Sequence, residues 1–83
     1  MNAAETVRTF IIDQFLFGED DGFKDDTSFL ETGLIDSMGI MELVAFLEKT
    51  FQIKIEDHEL VPRNLDSLNQ IQAFLKFKTK NAG

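Results

Sequence analysis

The chain contains no cysteine, tryptophan or tyrosine, a single proline and a single histidine in 83 residues. Without cysteine there is no disulfide framework and no cysteine-ligated metal site. One histidine, His58, leaves little for a catalytic triad, which needs an orienting group and an oxyanion hole besides a nucleophile and a base. No phosphate-cradling glycine loop and no metal-ligand cluster is spelled out. Apolar runs fall well short of the roughly 20 residues that span a bilayer. The N-terminus lacks a basic segment followed by an apolar one, so no signal peptide is expected. Basic residues are also scarce: eight against fifteen acidic ones give a net charge of −7. That balance repels nucleic-acid phosphates and anionic membranes and favours partners with basic patches. These absences lead to the expectation of a soluble, cytoplasmic, monomeric protein that is not an enzyme.

What is present is a core. Hydrophobic residues make up 43% of the chain and nine are Phe, which argues against disorder. Residues 1–83 are expected to form one domain. Sustained strand alternation is missing, and helical periodicity dominates. The first helix is expected from Ala3 to Phe17, with Val7, Phe10, Ile11, Phe15 and Leu16 on its buried face and Gly18 ending it. Gly18 to Ile35 reads as a long connection, pinned by Phe23, Phe29, Leu30, Leu34 and Ile35.

The second helix is expected to start at Ser37 with Asp36 as its N-cap. Ile40, Leu43, Val44, Leu47 and Phe51 then recur at the spacing of a buried face. An extended piece, Gln52 to Ile55, precedes a short helix over Glu56 to Leu60, which should stop before Val61-Pro62. A last helix, capped by Asp66, should bury Leu68, Ile71, Phe74 and Leu75 and run to about Lys78. Lys76, Lys78 and Lys80 would favour the dipole at its end. The fold class is therefore all-α: a four-helix bundle of three longer helices and a short one, with a long first loop.

Ser37 stands out in this layout. A hydroxyl in the first turn of a helix sits beside outward-pointing N–H groups and the positive end of the dipole, a setting that suits a tethered phosphate. Serine is also an ordinary residue at that position. Met41 and Ala45, four apart, share a face beside the core stripe and are either marginal core or partner contacts. The acidic stretch Glu19 to Asp26 fails the calcium-loop template: with Gly22 sixth, Phe17 falls first and Ser28 twelfth.

Gly33-Leu34-Ile35-Asp36-Ser37-Met38 resembles the attachment motif of acyl and peptidyl carrier proteins. The resemblance extends through the long following helix, Phe51-Gln52-Ile53-Lys54-Ile55, the Glu56-Asp57 turn, and Asn64-Leu65-Asp66-Ser67-Leu68. It implies that a phosphopantetheinyl transferase esterifies Ser37 with the 4′-phosphopantetheine of coenzyme A. The terminal thiol of that arm would carry acyl or aminoacyl groups as thioesters, presented to a loading ligase and downstream acyl-transferring enzymes. Fatty-acid, polyketide and nonribosomal-peptide biosynthesis all use such carriers. It also implies a partner-docking face made of Asp36, Met38, Met41, Glu42, Ala45 and Glu48.

Three departures accompany it. Met38 replaces the common Leu, a volume-conserving change. Gly39 stands where many fatty-acid carriers have an acid, and Lys49 interrupts the acidic run, so both are expected to weaken electrostatic docking. Ile35 and the stretch Val61 to Leu68 look more like stand-alone carriers paired with an AMP-forming ligase. The competing reading is an acidic helical adaptor that binds a partner groove without modification.

Overall fold

The computed structural model describes residues 3–19 and 22–81, with side chains as far as Thr79. Three longer helices carry the fold: α1 (Ala3–Phe15), α3 (Ser37–Phe51) and α5 (Leu68–Asn81). Two short helices, α2 (Phe29–Thr32) and α4 (Pro62–Leu65), and a 3-10 turn, Asp57–Glu59, connect them. Among the described residues there is no strand, and no helix is long and apolar enough to cross a membrane.

The ends of the helices follow local chemistry. α1 stops two residues earlier than the apolar pattern predicts. Leu16 and Gly18 both donate backbone N–H groups to the Ile12 carbonyl, at 3.1 and 2.9 Å, and the chain turns away with Phe17 in the left-handed region. In α3 the expected boundary holds. Asp36 lies in extended geometry and accepts the Gly39 N–H at 2.7 Å through its side chain. Gln52, at φ 53°, closes the other end. Lys49 falls in the last turn of α3, where a cation complements the dipole.

Two elements go beyond the expected set. The long first connection contains α2, because Ser28 accepts the Glu31 N–H at 3.1 Å and Gly33 ends the turn at φ 75°. The short third helix reduces to the 3-10 turn. The chain then restarts as α4 with Pro62 in its first turn, the position where a missing N–H costs nothing. Asp66 does not cap the last helix. Ser67 takes that role, accepting the Gln70 N–H at 3.2 Å, while Asp66 reaches across to α2.

The core gathers Val7 and Ile11 from α1, Phe29 from α2, Leu43 and Leu47 from α3, and Leu68, Ile71 and Leu75 from α5. Leu65 of α4 and Ile35 of the first connection join it, as do Phe23, Val44, Ile55 and Phe74. The long loop is pinned much as its apolar residues suggest: Phe23, Phe29 and Ile35 are buried and Leu34 is half-buried, but Leu30 is exposed. Phe23 meets Phe29 edge-on at 6.1 Å, and Arg8 lies 4.3 Å over the Phe23 ring while its guanidinium donates to Asp25 at 3.1 Å.

Two contacts set the orientation that matters for the site. Phe10 stacks on Phe46 with ring centroids 3.9 Å apart. At the other end Phe15 closes over Gly39, where an added Cβ would come within 2.8 Å of both Phe15 Cε1 and Ile35 Cγ2. α1 therefore runs antiparallel to α3, and its C-terminus packs against the start of α3. Lys78 of α5 pairs with Glu59 of the 3-10 turn at 2.8 Å, with the Glu59 side chain only 12% exposed. The Lys78 hydrogen bond, helped by the Glu56 N–H, holds the Glu59 carboxyl below its usual value. The side chain of Lys80 lies outside the described part of the chain.

Candidate functional site

The chain has three serines, and the fold treats them differently. Ser28 is half-buried, accepts the Glu31 N–H and donates its hydroxyl hydrogen bond to Asp66. Ser67 is buried and bonds Gln70 through both backbone and side chain. Ser37 is exposed in the first turn of α3, and its hydroxyl has no partner among the described residues.

Around it the first turn is well ordered by chemistry. The Asp36 carboxylate takes the Gly39 N–H and the Asp36 carbonyl takes the Ile40 N–H at 3.0 Å. The N–H groups of Ser37 and Met38 keep the free valence typical of a helix start. Nothing in this arrangement supplies a base to the Ser37 hydroxyl. His58 is exposed on the 3-10 turn. No cluster of potential metal ligands occurs among the described residues. Of the acidic stretch 19–26, Asp20 and Asp21 lie outside the described residues.

Met38, Met41, Glu42 and Ala45 are all exposed, and their i, i+3, i+4, i+7 spacing puts them on one stripe of α3 starting beside Ser37. Met38 is 81% exposed and Met41 56%. Glu48, three residues after Ala45 and seven after Met41, also serves the fold. It is half-buried, and its carboxylate accepts the Ile55 N–H at 2.8 Å, tying the extended segment back to α3. Gly39 is corrected as well. It is buried beneath Phe15 and Ile35 rather than lying on the acidic side, so an acid there would not have joined the exposed stripe.

Next to Ser37 an apolar groove of about 270 Å³ separates α3 from the Leu60–Leu65 segment. Ile40, Met41 and Pro62 line it, with Leu30 of α2 as a further wall. Asp66 fixes that wall: its carboxylate accepts the Leu30 N–H at 2.9 Å and the Ser28 hydroxyl, and its carbonyl accepts the Phe29 N–H at 2.8 Å. The sequence reading missed this groove and the role of Asp66 in it. The signal for α2 was present in Ser28-Phe29-Leu30-Glu31, the spacing of a helix-start capping box.

A family model described as the phosphopantetheine attachment site matches residues 5–75. The chain belongs to that family. It is a carrier protein whose prosthetic group is a covalently attached 4′-phosphopantetheine, and membership decides against the unmodified adaptor. Among its relatives is a probable acyl carrier protein, PigG, of Serratia sp. (strain ATCC 39006). That relative is 33% identical over 66 residues, covering 80% of this chain and 76% of its own length. The D-alanyl carrier protein of Streptococcus uberis (strain ATCC BAA-854 / 0140J) is 37% identical over 68 residues, covering 80% and 86%. That of Streptococcus suis (strain 98HAH33) is 35% identical over 71 residues, covering 86% and 87%.

The residues present fit the group. An exposed, unpartnered hydroxyl can form a phosphodiester, and two free N–H groups at a helix start favour the resulting anion. The groove beside it is lined mostly by apolar side chains.

Proposed function

We propose that Ser37 Oγ is the attachment point and that the chain carries acyl or aminoacyl groups between a loading ligase and downstream acyl-transferring enzymes. The observation that carries this reading is the state of the three hydroxyls: those of Ser28 and Ser67 are used by the fold, and that of Ser37 is free in solvent. Modification there breaks no hydrogen bond and displaces no packed atom.

In the transfer, Ser37 Oγ gives up its proton to the transferase and bonds to the phosphorus of coenzyme A that bears the pantetheine arm. The bond from that phosphorus to the bridging oxygen breaks, and the nucleotide bisphosphate leaves. Asp36 positions the hydroxyl by holding the first turn closed. The Ser37 and Met38 N–H groups and the dipole of α3 favour the new negative charge. When bound, the group supplies a terminal thiol that this cysteine-free chain lacks.

Partners dock on the stripe of Met38, Met41, Glu42 and Ala45, with Asp36 at its edge. Methionine adapts to several partner surfaces, and carboxylates steer basic ones. Glu48 belongs to this face only through the oxygen that Ile55 does not use. The carrier is non-catalytic, forms one domain and works as a cytoplasmic monomer. The absence of cysteine and the acidic balance support that setting.

Incubation with coenzyme A and a broad-specificity transferase is expected to add one phosphopantetheine, and Ser37→Ala to receive none. An unmodified wild-type mass, under conditions that load a control carrier, would overturn the assignment.

A further inference from the structure

Phe17 is 91% exposed, and no large apolar side chain among the described residues is more so. Its backbone is also unusual, with φ 54° in the left-handed region. A Cβ makes that conformation costly, whereas glycine, as at Gly18 with φ 84°, enters it freely. The helix end needs the turn, because Gly18 N–H must reach the Ile12 carbonyl at 2.9 Å. It does not need a phenyl ring. Glycine or asparagine would close α1 with less strain and no apolar surface in water. A lone exposed apolar residue is common, but one held in a strained backbone with no packing in return points to use elsewhere.

The position of Phe17 shows where. Phe15 packs on Gly39 in the first turn of α3, so the end of α1 lies at the Ser37 end of the bundle. Phe17 follows two residues later. Glu19, beside it, is exposed, as are Asp13 on α1 and Met38 on α3. An apolar tip, with the exposed carboxylates of Asp13 and Glu19 close to it in the chain, thus lies at the Ser37 end of the bundle.

We propose that Phe17 anchors the phosphopantetheinyl transferase, entering an apolar socket with a basic rim. This rests on Ser37 being the attachment point and deepens that reading. The choice of partner follows from reach. Before modification there is no arm, so the transferase must bring its active site to Oγ and cover the surface around it. Enzymes that act on the far end of the arm engage the α3 stripe but need not cover the corner beyond it.

The test is steady-state modification of the full chain by a broad-specificity transferase, with mass readout and thermal melts of each variant. Phe17→Asn, which tolerates the left-handed backbone, is expected to raise KM about five- to tenfold while kcat stays at the wild-type value and Tm holds or rises as the strain is relieved. Phe17→Leu, still apolar, should recover most of the loss. Phe77→Asn, on a different groove between α4 and α5, should leave KM unchanged. A wild-type KM for Phe17→Asn overturns the proposal. So does an equal rise for Phe77→Asn, or a loss of kcat and Tm together. Sedimentation showing wild-type dimers that Phe17→Asn dissolves would assign the tip to a second copy and also overturn it. If wild type itself is not modified, every variant is equally inert, and the attachment reading fails rather than the anchor alone.

Discussion

Replacing Gly39 with alanine tests how tightly the start of α3 is built. Two effects oppose each other. Alanine inside a helix is favoured over glycine by up to about 1 kcal/mol. Against that, the new Cβ would stand 2.8 Å from Ile35 Cγ2 and 2.8 Å from Phe15 Cε1. Ile35 is 1% exposed and has little room to retreat. Phe15 is half-buried, but its ring meets Phe10 edge-on at 6.1 Å, and Phe10 stacks on Phe46. Overpacking of this kind costs about 1–3 kcal/mol. The packing term therefore wins, leaving a net loss of about 1 kcal/mol and a fall in Tm of about 4–8 °C for a chain of this size. Aspartate at the same position should do worse. Its Cβ would also lie 3.3 Å from Asp36 Oδ1, the atom that caps the helix, so burying a second carboxylate there adds about 1–3 kcal/mol. Urea and thermal unfolding followed by far-ultraviolet circular dichroism measure both. If Gly39→Ala melts at or above the wild-type temperature, the close approach of α1 to α3 is not as described. The orientation that places Phe17 near Ser37 would then fall with it.

Other outcomes follow from single contacts. Asp36→Ala removes the cap on the Gly39 N–H and should cost about 1 kcal/mol, whereas Asp36→Asn keeps most of it; equal melting of the two would deny the cap its role. Glu59 has a folded carboxyl value below its ordinary 4.5, so between the two values the unfolded chain binds more protons and stability rises with pH. Its contribution is complete well above 4.5, declines below it and is gone once pH drops under the folded value. Stability–pH profiles of wild type and Glu59→Gln should therefore converge on acidification, and a constant gap would contradict the ion pair with Lys78. Glu42→Lys is expected to raise the KM of partner enzymes without moving Tm. Glu48→Ala should lower Tm, because it frees the Ile55 N–H. Reversal of that pattern would exchange the two residues between docking and fold.

Much of this architecture can be read directly from residue order. The start of α3 was legible because Asp36 is a strong N-cap followed by a clean apolar period through Leu43 and Leu47. The end of α1 was not. Leu16 and Phe17 continue an apolar pattern, and only the tertiary path of the chain reveals that Phe17 leaves the helix. Short elements suffer most, since α2 and α4 offer too few residues for a period and depend on tertiary partners such as Asp66. The same limit applied to Asp66 itself: it read as the cap of the helix that follows it, and its bonds to Ser28 and Leu30 are tertiary contacts that local sequence does not show. At the site, the place of Ser37 in the first turn of α3 followed from its Asp36 cap, and the shared face of Met41 and Ala45 from their spacing, whereas the docking roles of Met38, Glu42 and Glu48 rest on the resemblance alone. Glu48 was assigned to the docking face by resemblance, and its hydrogen bond from the Ile55 N–H, a tertiary contact, could not be read from the sequence. Gly39 read as a missing acid because steric crowding from Phe15, many residues away, leaves no trace in local sequence.

The central claim is that one hydroxyl, left unused by the fold, receives the arm. Trypsin should release residues 25–49 as one peptide holding both Ser28 and Ser37, with Ser67 on another. Fragmentation of that peptide from protein purified out of its native cell locates the group directly. Phosphopantetheine on Ser37 and on neither other serine is the predicted result; its presence on Ser28 or Ser67, or its absence throughout, would contradict the account.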